Sequence, residues 1–326
     1  MMLFHRSKKL PLSAFSSIFS NVKIKNKFHN PFISESTRFY SVEPEEIPSG
    51  FIAGLKWKFE KHETVPFTNR TRFILPTISF ERNRGQEEFE EIKKGFEGRT
   101  LDSTHPDCVR VSTIVDKIID ALNKEVKKMR PAEEITFLRR IWLRLIRRSP
   151  PSTAHLDGLN WEVLVVRYPD VACDCYPGGK FVMSNAFFEH FGNDFEIATC
   201  ITHEIAHIVA RHGAERFTKT LSIMALQSLL NQSVITYFIK AFQERITRRH
   251  EMEADYIGLL LMASAGYDPR MVPKVYEKMG KFDEAKSVPT SATHPSGAKR
   301  AKALAQPKIM EEALIIYKNV KAGFVV

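Results

Sequence analysis

Cysteine is scarce in this chain. The 326 residues hold four, Cys108, Cys173, Cys175 and Cys200, with no C-x-x-C pair among them. That excludes a disulfide framework and a cysteine-type structural zinc site. A long hydrophobic run is also missing. A membrane-spanning helix needs about 20 mostly apolar residues. The region before Glu63 offers only Phe51-Ile52-Ala53-Gly54-Leu55, after which Lys56, Lys58 and Lys61 intervene. The other candidate, Leu221 to Phe242, is interrupted by Gln227, Asn231 and Gln232, which would be costly in hydrocarbon. A buried or amphipathic helix is the expectation there. Acid is absent from the first 34 residues, which carry Arg6, Lys8, Lys9, Lys23, Lys25 and Lys27 and many serines. Such a segment reads as an organelle-targeting presequence rather than a piece of the fold. Residues 1–40 hold seven Lys or Arg against one Glu, so the remainder carries +4 of the total +10. A charge this modest gives no reason to expect a nucleic-acid partner.

Against these absences stands His203-Glu204-Ile205-Ala206-His207, an H-E-x-x-H pattern. In a helix, residues four apart share a face, so His203 and His207 can point at one metal ion. Glu204 lies beside them, where a carboxylate can take a proton from a metal-bound water. The flanking sequence supports a helix over Asn193–Arg211. Asn193 is a candidate N-cap with Glu196 three residues on, and no proline or glycine follows until Gly213. Two histidines four apart also occur as packing residues, so the pattern needs a third ligand from elsewhere. His212 lies nine residues after His203, two and a half turns of a continuous helix, and is expected to point away from the metal.

The segment from Arg248 to Leu260 supplies acids on a strongly apolar run. Glu251 and Asp255 share a face, whereas Glu253 lies about 200° round from Glu251. Such a pair suits a metal site in which one carboxylate binds the ion and the other receives a ring N–H from a ligating histidine. A solvated acidic face is the alternative, less fitting where charges enter an apolar helix and need partners.

His203–His207 followed by Glu251-x-x-Ala254-Asp255 resembles the HtpX and CAAX-prenyl-protease family of zinc metallopeptidases. The segments Glu63–Thr68, Gly158–Val163, Pro177–Lys180, Glu251–Arg270 and Thr293–Arg300 extend the likeness over roughly residues 63 to 323. The resemblance implies a zincin-like α+β fold, mostly helical, with a small β-sheet beside the H-E-x-x-H helix. It implies one Zn2+ per chain, bound by His203, His207 and Glu251, with Asp255 supporting the site. His294 and Arg300 correspond to a pair near the metal, expected to hold substrate or stabilise the oxyanion. Two departures from the family stand out. Relatives carry Asn-Ala before the strand that opens at the Pro-Gly-Gly turn, where this chain has Ala172-Cys173-Asp174-Cys175-Tyr176. Relatives also carry a transmembrane helix upstream of the Glu-Thr-Val-Pro segment, and this sequence does not show one.

The expected activity is peptide-bond hydrolysis, with Glu204 as base and His294 assisting at the oxyanion. Substrate backbone is expected to add to an edge strand at Lys180–Met183, which makes Gly179 and Lys180 substrate-positioning candidates. The partners implied are protein or peptide substrates, membrane proteins among them, in quality control at the mitochondrial inner membrane; homo-oligomers are left open. Arg38-Phe39-Tyr40-Ser41 resembles the arginine-based processing sites of mitochondrial precursors, placing a mature start near Ser41. The competing class is a holdase that binds unfolded membrane proteins without cutting them.

The chain divides into a presequence at 1–40, a linker and amphipathic lead-in at 41–100, and a metallopeptidase domain at 101–326. Helices are expected at Val109–Met129, Ala132–Arg148, Asn193–Arg211, Thr218–Phe242, Glu244–Ala265, Pro269–Met279 and Ser296–Lys321. Strands are expected at Trp161–Tyr168 and Lys180–Met183. The Ala132–Arg148 segment sets Trp142 and apolar neighbours against Arg140, Arg144 and Arg147. It suits either a membrane interface or an ordinary domain surface.

Overall fold

The computed structural model describes residues 62–130, 152–229, 232–285 and 295–323, with side chains of 224–243 left aside. The targeting segment, the expected Ala132–Arg148 helix and His294 lie outside the described residues. The chain opens with a hairpin, β1 (His62–Thr64) antiparallel to β2 (Thr71–Phe73), followed by helix α1 (Ile78–Gly95). Thr77 caps α1 by accepting from the Phe80 N–H at 3.2 Å. Phe89, Ile92 and Phe96 from this stretch are buried with Val166, Tyr176 and Val182 of the sheet. The expected lead-in therefore contributes to the core from Val65 onward, because its apolar stripe has a sheet face to cover.

Helix α2 (Pro106–Met129) starts earlier than the periodicity suggested, since Pro106 suits the first helical turn and His105 caps it. The central sheet is β3 (Glu162–Val166), β4 (Cys173–Tyr176) and β5 (Lys180–Ser184), in the order β3-β5-β4. Strand β5 pairs parallel with β3, Val163 opposite Phe181, and antiparallel with β4, Cys175 opposite Phe181. The expectation of an edge strand at Lys180–Met183 is thus corrected. Both ladders of β5 are occupied, which leaves no backbone donors or acceptors for a substrate. Its five residues are all buried, as a strand covered on both faces and both edges must be.

A short helix α3 (Ala186–His190) leads to α4 (Asp194–Val209), which carries the histidine motif. Asn193 Oδ1 accepts from the Glu196 N–H at 2.8 Å, as its sequence position suggests. The Glu196 carboxylate accepts from Lys278 Nζ at 2.7 Å. Two long helices follow, α5 (His212–Leu229) and α6 (Gln232–Ser264), so the boundary expected near Gln243 falls inside α6. A 3-10 turn at Pro269–Met271 precedes α7 (Val272–Ala285), and α8 (Gly297–Leu304) and α9 (Pro307–Lys321) close the described chain. The single helix expected over Ser296–Lys321 divides because Pro307 can begin a helix but not continue one. Ile197, Ile201 and Ile205 of α4 lie fully buried with Ile257 and Leu261 of α6. Among the described residues no helix is long and apolar enough to cross a membrane, and no disulfide joins the four cysteines.

Candidate metal centre

Helix α6 crosses α4 closely enough that a β-carbon on Gly258 would sit 3.3 Å from the His203 backbone nitrogen. This approach brings the carboxylate of α6 to the two imidazoles of α4. His203 Nε2 and His207 Nε2 are 3.2 Å apart. Glu251 Oε2 is 3.3 Å from His203 Nε2, and Oε1 is 3.5 Å from His207 Nε2. Donor atoms bound tetrahedrally at about 2.0–2.1 Å stand roughly 3.3 Å from one another. The spacing fits a small divalent ion, and among the described residues this is the one cluster with metal-ligand convergence. Two neutral nitrogens and one carboxylate also match the donor set of catalytic zinc sites.

Glu204 lies alongside, its Oε1 4.0 Å from His203 Nε2. It is more open than the donors, with 15% of its side chain exposed against 3% for Glu251. Asp255, one turn along α6 from Glu251, takes the other nitrogen of His203, with Nδ1 to Oδ1 at 2.9 Å. Arg300 of α8 donates to the same carboxylate from Nη2 at 2.5 Å and Nε at 2.8 Å. Burial would raise the Asp255 pKa, but Arg300 and His203 hold it well below the usual carboxylate range. Burial and the Arg300 charge push His203 down, yet Asp255 and Glu251 outweigh them and its pKa stands at about 10. The site therefore favours a positive charge at its centre. Burial keeps His207 neutral, well below an ordinary imidazole.

The structure redistributes several expected roles. Arg300 lies behind His203, its guanidinium 4.3 Å above the Tyr276 ring and engaged by Asp255. Its Nη2 lies 3.2 Å from His203 Nδ1 and 3.4 Å from His203 Nε2. Lys180 is buried and tied to Glu162 and, at 3.0 Å, to the Asn160 carbonyl. Gly179 packs against Trp161, where a β-carbon would lie 3.0 Å from the indole. Both serve the β4–β5 turn. Glu253 is not among the converging donors; its Oε2 lies 3.0 Å from His212 Nε2.

His212 is not among the converging donors, as expected, but its place beside His207 departs from the continuous helix assumed for it. A continuous helix would turn it away, but α4 stops at Val209 and Arg211 adopts a left-handed φ of 45°. Such a conformation costs a β-carbon-bearing residue about 1–3 kcal/mol. Buried bonds hold it: Arg211 donates to Glu63 at 2.6 Å, to Glu81, and to the Pro76 carbonyl at 3.1 Å. The turn re-phases the chain and brings His212 Nδ1 to 2.9 Å from His207 Nδ1. Nothing in helical periodicity signals this; the only trace is the Glu63 and Glu81 acids, far away in sequence.

The same turn buries His155, whose Nε2 donates to the Val209 carbonyl at 3.0 Å. Burial, aided by the Arg211 and Arg72 charges, pushes its pKa down to about 3. The folded value lies below the unfolded value of about 6.5, so the unfolded chain takes up the proton first. This contribution to stability is whole above pH 6.5 and is lost as pH falls towards 3. By pH 5 the loss amounts to about 2 kcal/mol. Thermal unfolding at pH 7 and pH 5 should show the wild type losing about that much more than His155→Gln. Equal losses would show that His155 is not buried as a neutral ring.

The comparisons agree with this geometry. The profile of peptidase family M48 matches residues 136–308. The chain is 36% identical to the mitochondrial metalloendopeptidase OMA1 of Arabidopsis thaliana, over 97% of this chain and 79% of that protein. It is 26% identical to the protein of the same name from Saccharomyces cerevisiae, over 84% of this chain and 78% of that one. A β-barrel assembly-enhancing protease of Escherichia coli K12 is 28% identical over 39% of this chain and 29% of its own length. With its histidine pair, facing carboxylate and adjacent glutamate, the chain belongs to peptidase family M48 and is a metalloprotease.

Proposed function

We propose that this protein is a zinc metalloendopeptidase of mitochondria, acting on inner-membrane proteins in quality control. The observation that carries the reading is the convergence of His203, His207 and Glu251 with Glu204 at the open side. Zinc, when bound, would lower the pKa of a coordinated water towards about 7 and polarise the scissile carbonyl. Glu204 accepts the proton of the attacking water and delivers it to the leaving amine. Asp255 holds His203 through Nδ1, and Arg300 holds Asp255. His294 is assigned to the oxyanion by the family resemblance. Strand β4 has one sheet neighbour, β5. Strand β3 also has β5 as its one sheet neighbour, but the 99–101 stretch already bonds its outer edge at Val165 to Arg167, so β4 is the strand to which an extended substrate would add, recognised mainly through backbone. Residues 1–40 act as the targeting presequence, and the names of the OMA1 relatives support mitochondrial placement. The arginine-rich segment at 132–148 is the candidate for contact with the membrane surface.

Purified full-length protein should contain one zinc per chain by elemental analysis and cleave unfolded casein. A chelator should abolish cleavage and added zinc restore it. Cleavage that persists after complete metal removal would overturn the mechanism. Tight casein binding without cleavage would favour the holdase reading.

A further inference from the structure

His207 directs Nε2 at the metal centre, so its Nδ1 must carry the ring proton and needs an acceptor. Ligating histidines commonly give this proton to a carboxylate or a backbone carbonyl. Here the neighbour is another imidazole, His212 Nδ1 at 2.9 Å. Two facing ring nitrogens share a single proton, and the surroundings decide which one owns it. His212 Nε2 lies 3.0 Å from Glu253 Oε2. An ionised carboxylate can only accept, so His212 must hold its proton on Nε2. A neutral His212 then presents a lone pair at Nδ1, and His207 must be the donor.

Glu253 is in turn held on the far side. Arg70 donates from Nε at 2.9 Å and Nη2 at 2.6 Å, and Thr68 Oγ1 at 2.7 Å. Arg70 also reaches Glu215 at 2.7 Å, fixing its guanidinium between two helices. His212 is fully buried and stacked on His250, ring centroids 4.3 Å apart and 11° from parallel. One proton lies between the two Nδ1 atoms and His212 keeps its other on Nε2 towards Glu253, so the ring as placed is neutral. The donors of Arg70 and Thr68 converge on the Glu253 carboxylate and leave it the acceptor towards His212. Donors and acceptors from Arg70 to the metal centre thus run in one direction only. The chain begins in the β1–β2 hairpin, outside the stretch matched by the family profile.

We propose that His212, oriented by Glu253, is a positioning residue that fixes His207 in its Nδ1–H form and presents the Nε2 lone pair to the metal. The inference rests on the metal reading above. Its test is zinc affinity of the full chain, measured by competition with a chelator. His212→Leu keeps apolar bulk but removes the acceptor, and should weaken zinc binding about 10–100-fold. His212→Asn places an amide oxygen near the position of Nδ1 and should recover most of that loss. A packing role would give the opposite order, since Leu suits a buried site better than Asn. Zinc affinity unchanged in His212→Leu, or no better in His212→Asn than in His212→Leu, overturns the proposal. Nitrogen-15 spectra of the imidazoles in wild-type protein test it without any variant. The Nε2–H form of His212 with the Nδ1–H form of His207 is expected, and an Nδ1–H form of His212 would refute it. Should wild-type protein bind no zinc, the metal reading itself fails, an outcome distinct from any ranking of the variants.

Discussion

Glu204→Gln is expected to keep its metal and lose about a hundred- to ten-thousand-fold in peptide hydrolysis, the range of a general acid–base contribution. Glu204 is not among the three converging donors. Its Oε1 lies 4.0 Å from His203 Nε2. An amide there cannot take a proton from water, but it leaves the imidazoles and Glu251 untouched. His207→Ala should behave differently, losing metal and activity together, because the tetrahedral spacing needs all three donors. Elemental analysis of the two folded variants, alongside cleavage rates, separates base from ligand. Metal missing from folded Glu204→Gln would move that residue into the ligand set.

That the two histidines and the Glu251/Asp255 pair each share a helix face was legible in local periodicity, while the choice of Glu251 as the donor came from the family resemblance. His203 and His207 lie one turn apart on a capped helix, and Glu251 and Asp255 one turn apart on another. Each pair is fixed by 3.6 residues per turn, with only the meeting of the two helices left to tertiary packing. What failed to show depends on long-range pairing. The register of Lys180–Ser184 was readable as a strand, but its central place follows from Cys173–Tyr176 folding back beside it. Alternation along β5 cannot report how many neighbours it has. His212 fails for a related reason. Its position hinges on a left-handed Arg211 held by Glu63 and Glu81, more than 120 residues earlier. Periodicity carries an ideal helix through that residue, and only the ion pairs end it.

Asp255→Ala should be among the most destabilising single changes in the described chain and should also weaken the metal. The Asp255 side chain is fully buried, and Arg300 beside it is 13% exposed. Removing the carboxylate strands a buried guanidinium without its hydrogen-bonded acceptor, which costs about 3–5 kcal/mol. For a domain of this size each kcal/mol is about 2–4 °C, so melting should fall by about 6–20 °C. The Arg300 head cannot easily withdraw to water, because α8 is seated against α7. A β-carbon on Gly297 would stand 2.2 Å from the Tyr276 carbonyl and 2.7 Å from Gly280 Cα. His203 loses its orienting acceptor in the same variant, and zinc affinity should drop about 10–100-fold. The double change Asp255→Ala with Arg300→Met removes the stranded charge, so it should recover part of the melting temperature but none of the zinc affinity. That divergence is the decisive measurement. If the double variant melts no higher than Asp255→Ala, the cost comes from lost packing and not from an unpaired charge. If zinc affinity returns with the melting temperature, Asp255 supports the fold and not His203.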